Sequence, residues 1–132
     1  MNATELFNQL SFHDSIITKL ALDRDIGVLR LDVELGNYNQ LAYDPAKDPE
    51  VVPGELSFFG VSDDEHRLEG GLKILGDQVD GEIINVEVKP AIDGSSSVKL
   101  VVLVTDYISD KEETHVIKFR ANEAMWKPNR DS

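Results

Sequence analysis

The stretch Val28-Leu29-Arg30-Leu31-Asp32-Val33-Glu34-Leu35 decides the fold class. Leu29, Leu31, Val33 and Leu35 alternate with Arg30, Asp32 and Glu34, the period of two expected of a strand with one dry and one wet face. A helix would instead need apolar positions three and four apart. Just upstream, Ile16 to Asp23 is a second strand, with Leu20 and Leu22 on one face. Asp23-Arg24-Asp25-Ile26-Gly27 joins the two as a hairpin, Gly27 supplying the positive φ of a tight turn. Further strands are predicted over Glu55–Val61 (Leu56, Phe58, Phe59), over Glu82–Lys89 (Ile84, Val86, Val88) and over Thr114–Ala121 (Ile117, Phe119, Ala121). Val98–Thr105 is apolar at nearly every position, as in a central strand covered on both faces. The connections Asp93-Gly94-Ser95-Ser96 and Ser109-Asp110-Lys111-Glu112-Glu113 are polar and hairpin-like.

The N-terminus departs from this period. Asn2 is placed to cap a short helix, Glu5 takes the capping-box position, and Leu6, Phe7 and Leu10 share a face that must dock to be stable. The expected fold is therefore mainly β: an antiparallel curled sheet, barrel-like or a small sandwich, with one short N-terminal helix. The alternative is α+β, should Glu65 to Gly76 be helical in spite of Gly70-Gly71; the reading preferred for that stretch is a poor or irregular strand. Residues 1–132 form one domain. Gly36 to Gly54, with Pro45, Pro49 and Pro53, carries no sustained period and reads as a long loop, a kind of segment that in compact domains is usually functional or mobile. Residues 127–132, after Trp126, read as a flexible tail.

Composition narrows the function classes. The 132 residues carry 25 Asp+Glu against 13 Lys+Arg, a net charge of −12, and no cysteine. The 41% hydrophobic share, with nine glycines added, approaches the ordinary globular share of about 45–50% and excludes wholesale disorder. Absence of cysteine removes disulfides, thiol nucleophiles and Cys-bound metal. Scattered basic residues outnumbered by acids do not make a phosphate-tracking stripe, so nucleic acid is not an expected partner. Neither an apolar signal-peptide core nor a long apolar run is present, so the expectation is a cytoplasmic protein that does not engage a membrane.

Motifs for chemistry are few. Phe12-His13-Asp14-Ser15 holds the residue types of a hydrolase triad, but consecutively, whereas catalytic side chains converge from separate elements. The preferred reading is a junction in which these side chains bond to backbone and Phe12 anchors in the core. On that reading, His13→Ala or Asp14→Ala would each cost about 1–2 kcal/mol of stability. The alternative is a small hydrolase or ligand-binding protein using His13 and Asp14. Asp23-x-Asp25 with Glu34 imitates a calcium loop but has its glycine misplaced and reads as strand–turn–strand. Asp63-Asp64-Glu65-His66 reads as a solvated acidic turn. His115, on the face of Ile117 and Phe119, reads as a hydrogen-bonded, part-buried residue. No metal is expected, since His13, His66 and His115 show no ligand spacing, and no cofactor, since Gly70-Gly71 and Gly76 lack phosphate-loop spacing.

Phe12-His13-Asp14-Ser15 with Ile16, the Leu20-x-Leu22 strand, Leu56-Ser57-Phe58-Phe59-Gly60-Val61 and Gly81-Glu82-Ile83-Ile84-Asn85 together resemble a group of small, uncharacterised bacterial proteins with a hydrophobic-HDS start. Some members of that group resemble immunity proteins of toxin systems. The resemblance covers roughly residues 11 to 90, omits the proline-containing loop and carries no catalytic residues. It implies a compact, mostly β protein that binds something. The charge pattern agrees with a protein partner, basic in character: Tyr38, Tyr43, Asp44, Asp48, Glu50, Asp63, Asp64 and Glu65 gather around the long loop, giving aromatic anchors within a charged rim. A purely structural domain is the remaining alternative.

Overall fold

The computed structural model describes residues 1–62, 81–106 and 109–129. A short helix, α1 (Ala3–Gln9), is followed by strands β1 (Ile16–Asp23), β2 (Val28–Gly36), β3 (Val51–Phe59), β4 (Gly81–Pro90), β5 (Ser96–Asp106), β6 (Lys111–Ala121) and β7 (Glu123–Pro128). Among the described residues the seven strands lie in one sheet of order β6-β5-β4-β1-β2-β3-β7, every neighbouring pair antiparallel. Among the described residues the fold is thus mainly β with a single short N-terminal helix. The sheet is curled and does not close.

Two β-bulges explain the curl. β1 and β4 pair only at Ile16 with Glu82 and Ile17 with Gly81, and each strand shifts register beside that contact, β1 between Ile17 and Lys19 and β4 between Ile83 and Asn85. An extra residue in one strand bends it and increases the local twist. The two groups of strands therefore turn toward each other, and the far ends meet where Ser62 and Arg120 exchange backbone hydrogen bonds of 3.0 Å. The bulges also reset side-chain parity. Ile17 is buried on the same side as the half-buried Leu20 and Leu22, and Ile83 rather than Ile84 enters the core with Val86 and Val88 packed behind it. Strict alternation assigns these positions to opposite faces, which is why Ile17 and Ile83 escape a sequence reading.

The core is the concave side of the sheet, filled by residues such as Leu29, Leu31, Leu56, Phe58, Leu100 and Ile117, and capped by Ala3 and Leu6 of α1. Asn2 caps the helix, its Oδ1 accepting from the Glu5 N–H at 2.8 Å. β5 is dry on one face only: Val98, Leu100, Val102 and Val104 are buried, while Val101 and Leu103 are partly exposed on the other. The expectation of cover on both faces is corrected accordingly.

Two boundaries also move. β3 begins at Val51, not Glu55, so Pro53 and Gly54 belong to a strand. Pro53 is tolerated because its carbonyl, accepting from Asn129 N at 2.9 Å, points away from β2, and the missing N–H falls on that same side. The expected 127–132 tail begins inside β7, where Lys127 and Pro128 pair with Glu55 and Gly54. β7 is too short for a legible alternation, and its buried residues are Ala124 and, in part, Trp126. Glu65 to Gly76, on which the α+β alternative depended, lies outside the described residues. No helix among the described residues is long and apolar enough to cross a membrane.

Candidate functional site

Because β1 starts where β2 ends, with Ile16 opposite Glu34, the hairpin sets the Ser11–Ser15 turn beside Gly36 and the loop that follows it. The two segments are joined by side chains. Gln40 brackets the Ser11 peptide like a strand neighbour: its Oε1 accepts from Ser11 N at 2.9 Å and its Nε2 donates to Ser11 O at 2.6 Å. Asn39 Nδ2 donates to His13 O at 2.7 Å, and Gly36 N donates to the buried Ser15 Oγ at 3.0 Å. Asp14 occupies the left-handed region at φ 64° and donates its N–H to Ile83 O at 2.8 Å, while Ser15 O accepts from Ile83 N at 2.8 Å. That conformation is tolerable for Asp, whose short polar side chain suits αL. The turn thereby fastens β4 as well as the loop.

The loop, residues 37–50, is itself organised. A 3-10 turn over Asn37–Asn39 opens it, and Glu50 O accepts from both Asn37 N (2.9 Å) and Tyr38 N (3.3 Å) at its base. At its tip Asp44 Oδ1 accepts from Ala46 N and Asp48 Oδ2 from Asp44 N, each at 2.9 Å. Asp44 and Asp48, read from sequence as partner-facing charges, thus each commit an oxygen to folding the loop. Glu50 and Tyr38 are exposed, Tyr38 by 46%, and Leu41 is fully exposed, whereas Tyr43 is half-buried. Asp63, Asp64 and Glu65 lie outside the described residues.

For the hydrolase alternative the structure supplies a His–carboxylate pair, and among the described residues it sets no hydroxyl in hydrogen-bond reach of the His13 ring. His13 Nε2 stands 3.4 Å from Asp14 Oδ1, the His13 side chain 58% exposed. Ser15 Oγ is buried against Gly36 N, and the Ser11 hydroxyl accepts from His13 N at 3.4 Å. His115 is on β6, hydrogen-bonded to Glu113 at 3.2 Å. A groove of about 380 Å³ lies between α1 and β4, with His13, Asn8 and Asn85 on its lining and Phe7 and Phe12 beneath. Among the described residues no group of His, Asp and Glu is arranged to hold a metal ion. The Asp93 carboxyl is held below its usual range by the Ser95 hydroxyl and N–H that donate to it; it serves the β4–β5 turn rather than this site.

No protein-family model, curated protein or solved structure matches the chain. The reading of this site rests on its geometry.

That geometry corrects the expected role of His13. Among the described residues its imidazole meets the Asp14 carboxylate and no backbone group, and the main chain does the fastening. His13→Ala should accordingly leave stability within about 0.5 kcal/mol of the parent. Ser15→Ala strands the Gly36 N–H in the interior and should cost about 1–3 kcal/mol. Urea titrations of the two variants measure the contrast directly. Equal losses would mean that the side chain of His13, and not its backbone, holds the turn. Asn39 and Gln40 were not legible as site residues, because amides in a polar loop look like ordinary solvated positions until their partners are seen.

Proposed function

We propose that this protein works by binding another protein through the 37–50 loop face, and that its negative charge draws a basic partner to that face. The observation that carries the reading is the combination at Tyr38 and Leu41: large side chains left open to solvent on a loop that the Asn39 and Gln40 side chains tie to the main chain of the Ser11–Ser15 turn. Apolar anchors on a fixed backbone lose less conformational entropy on binding than anchors on a free one, which favours affinity. An inhibitor or immunity role toward a toxin would be one use of such a face, in keeping with the hydrophobic-HDS resemblance. Tyr38 stays as an anchor and Leu41 takes the place of Tyr43, which is partly covered.

The test is kinetic. Asp44→Asn, Asp48→Asn and Glu50→Gln together remove charge while keeping the oxygen acceptors that fold the loop. With a captured partner, the triple variant should slow association more than it speeds dissociation, and raising ionic strength should do the same as the Debye length falls from about 30 Å at 0.01 M to about 8 Å at 0.15 M. Tyr38→Ala should chiefly speed dissociation. A partner whose association is indifferent to salt and to the triple variant would remove charge steering from the account.

A further inference from the structure

The 37–50 loop holds the chain's two Asp–Pro bonds, Asp44–Pro45 and Asp48–Pro49, and its fold treats them differently. At the first, the Asp44 carbonyl oxygen accepts from two main-chain N–H groups, Lys47 at 3.1 Å and Asp48 at 2.8 Å. The Asp44 carboxylate folds forward, its Oδ1 accepting from Ala46 N at 2.9 Å. The ring closed by that bond contains the Asp44–Pro45 peptide, so the carboxylate is laid along it, as in other Asx turns. Asp48 turns its carboxylate the opposite way, Oδ2 accepting at 2.9 Å from Asp44 N on the N-terminal side. Asp44–Pro45 thus combines three parts of an acyl-transfer site. A carboxylate held against a carbonyl is an intramolecular nucleophile. Two converging N–H groups stabilise negative charge that develops on the carbonyl oxygen. Proline supplies a tertiary amide nitrogen, which takes up a proton more readily than a secondary one and leaves as a secondary amine.

We propose that the loop cleaves its own chain at Asp44–Pro45. A carboxylate oxygen of Asp44 adds to the Asp44 carbonyl carbon, and the oxyanion so formed rests on the Lys47 and Asp48 N–H groups. The Pro45 nitrogen takes a proton from solvent, the bond between it and the Asp44 carbonyl carbon breaks, and Asp44 is left as a five-membered cyclic anhydride. One water molecule opens the anhydride. The net change is hydrolysis of one peptide bond, with the Asp44 carboxyl regenerated, a new α-carboxyl at Asp44 and a new amino terminus at Pro45. β2 and β3, on either side of the cut, stay paired from Val28 with Phe59 to Gly36 with Val51, so the cut opens the loop and leaves the sheet. The reaction does not depend on the loop having a partner.

Mass spectrometry of the full chain, incubated in warm, mildly acidic buffer under which circular dichroism shows it folded, tests the proposal. The expected products are residues 1–44 and 45–132, formed about tenfold or more faster than products of cutting at Asp48–Pro49, since the two N–H donors act on the first carbonyl. In urea at the same acidity the two bonds should be cut at similar rates, because the fold alone distinguishes them. Asp44→Asn keeps an oxygen for the Ala46 N–H but removes the carboxylate nucleophile, and should slow the cut by about tenfold or more. Pro45→Ala, which removes the ready leaving group, should slow it as well. A folded chain that stays intact, equal cutting at the two bonds, cutting at Asp44–Pro45 that is faster in urea than in the folded chain, or an Asp44→Asn variant cut like the parent would each overturn the proposal.

Discussion

Phe12→Ala should lower stability by about 3–5 kcal/mol, which in a domain of this size is a fall of about 10 °C or more in thermal midpoint. Phe12 is 2% exposed and its ring meets Phe7 edge-on at 5.3 Å and Trp126 edge-on at 5.6 Å. Phe7 in turn stacks with Phe58 at 6.2 Å, and Phe58 meets Phe119 at 4.8 Å. One side chain therefore ties α1, the Ser11–Ser15 turn and β7 to the centre of the sheet, and each ring pair adds to the burial. Truncation leaves a void between elements that their own hydrogen bonds hold in place, so little collapse can fill it. Calorimetry of the variant measures the loss. A drop below about 1 kcal/mol would show that the cluster repacks and that the turn is held by its hydrogen bonds alone.

Gly54→Ala should be nearly as damaging, at about 1–3 kcal/mol or more. A Cβ at Gly54 would lie 2.6 Å from the Trp126 ring and 2.7 Å from Lys127 O. The ring could rotate away, but the backbone carbonyl cannot without parting β7 from β3. Trp126 is the only tryptophan in the chain, so its emission reports on this site without interference. The variant should show red-shifted emission at temperatures where the parent does not. Unchanged emission and an unchanged midpoint would mean that β7 shifts freely on β3.

Much of this architecture is visible in the sequence, and the gaps have physical causes. The β1–β2 hairpin is legible because Leu29, Leu31, Val33 and Leu35 keep strict alternation opposite a wet face and Gly27 takes φ 65° at the turn. The Asn2 cap is equally plain. Ile17 and Ile83 are not legible as core, because a bulge is a property of two paired strands and neither strand alone announces it. Pro53 reads as a loop residue until the direction of its missing donor is known. At the candidate site, Phe12-His13-Asp14-Ser15 stands out as a junction, but the side chains named for that role are only partly the ones that act. Ser15 and the backbone of His13 fasten the turn, while Asn39 and Gln40, distant in sequence and unremarkable in type, complete the clamp. Asp44 and Asp48 are visible as charges and invisible as caps of their own loop.

The central claim is that the exposed side chains of the clamped loop, and not the His13–Asp14 pair, form the working surface. Parallel affinity capture from host lysate at low salt, with the parent, Tyr38→Ala/Leu41→Ser and His13→Ala as baits of matched thermal stability, tests it most directly. The account predicts a species retained by the parent and by His13→Ala and lost from Tyr38→Ala/Leu41→Ser. Equal retention by the loop variant, or loss confined to His13→Ala, would contradict it.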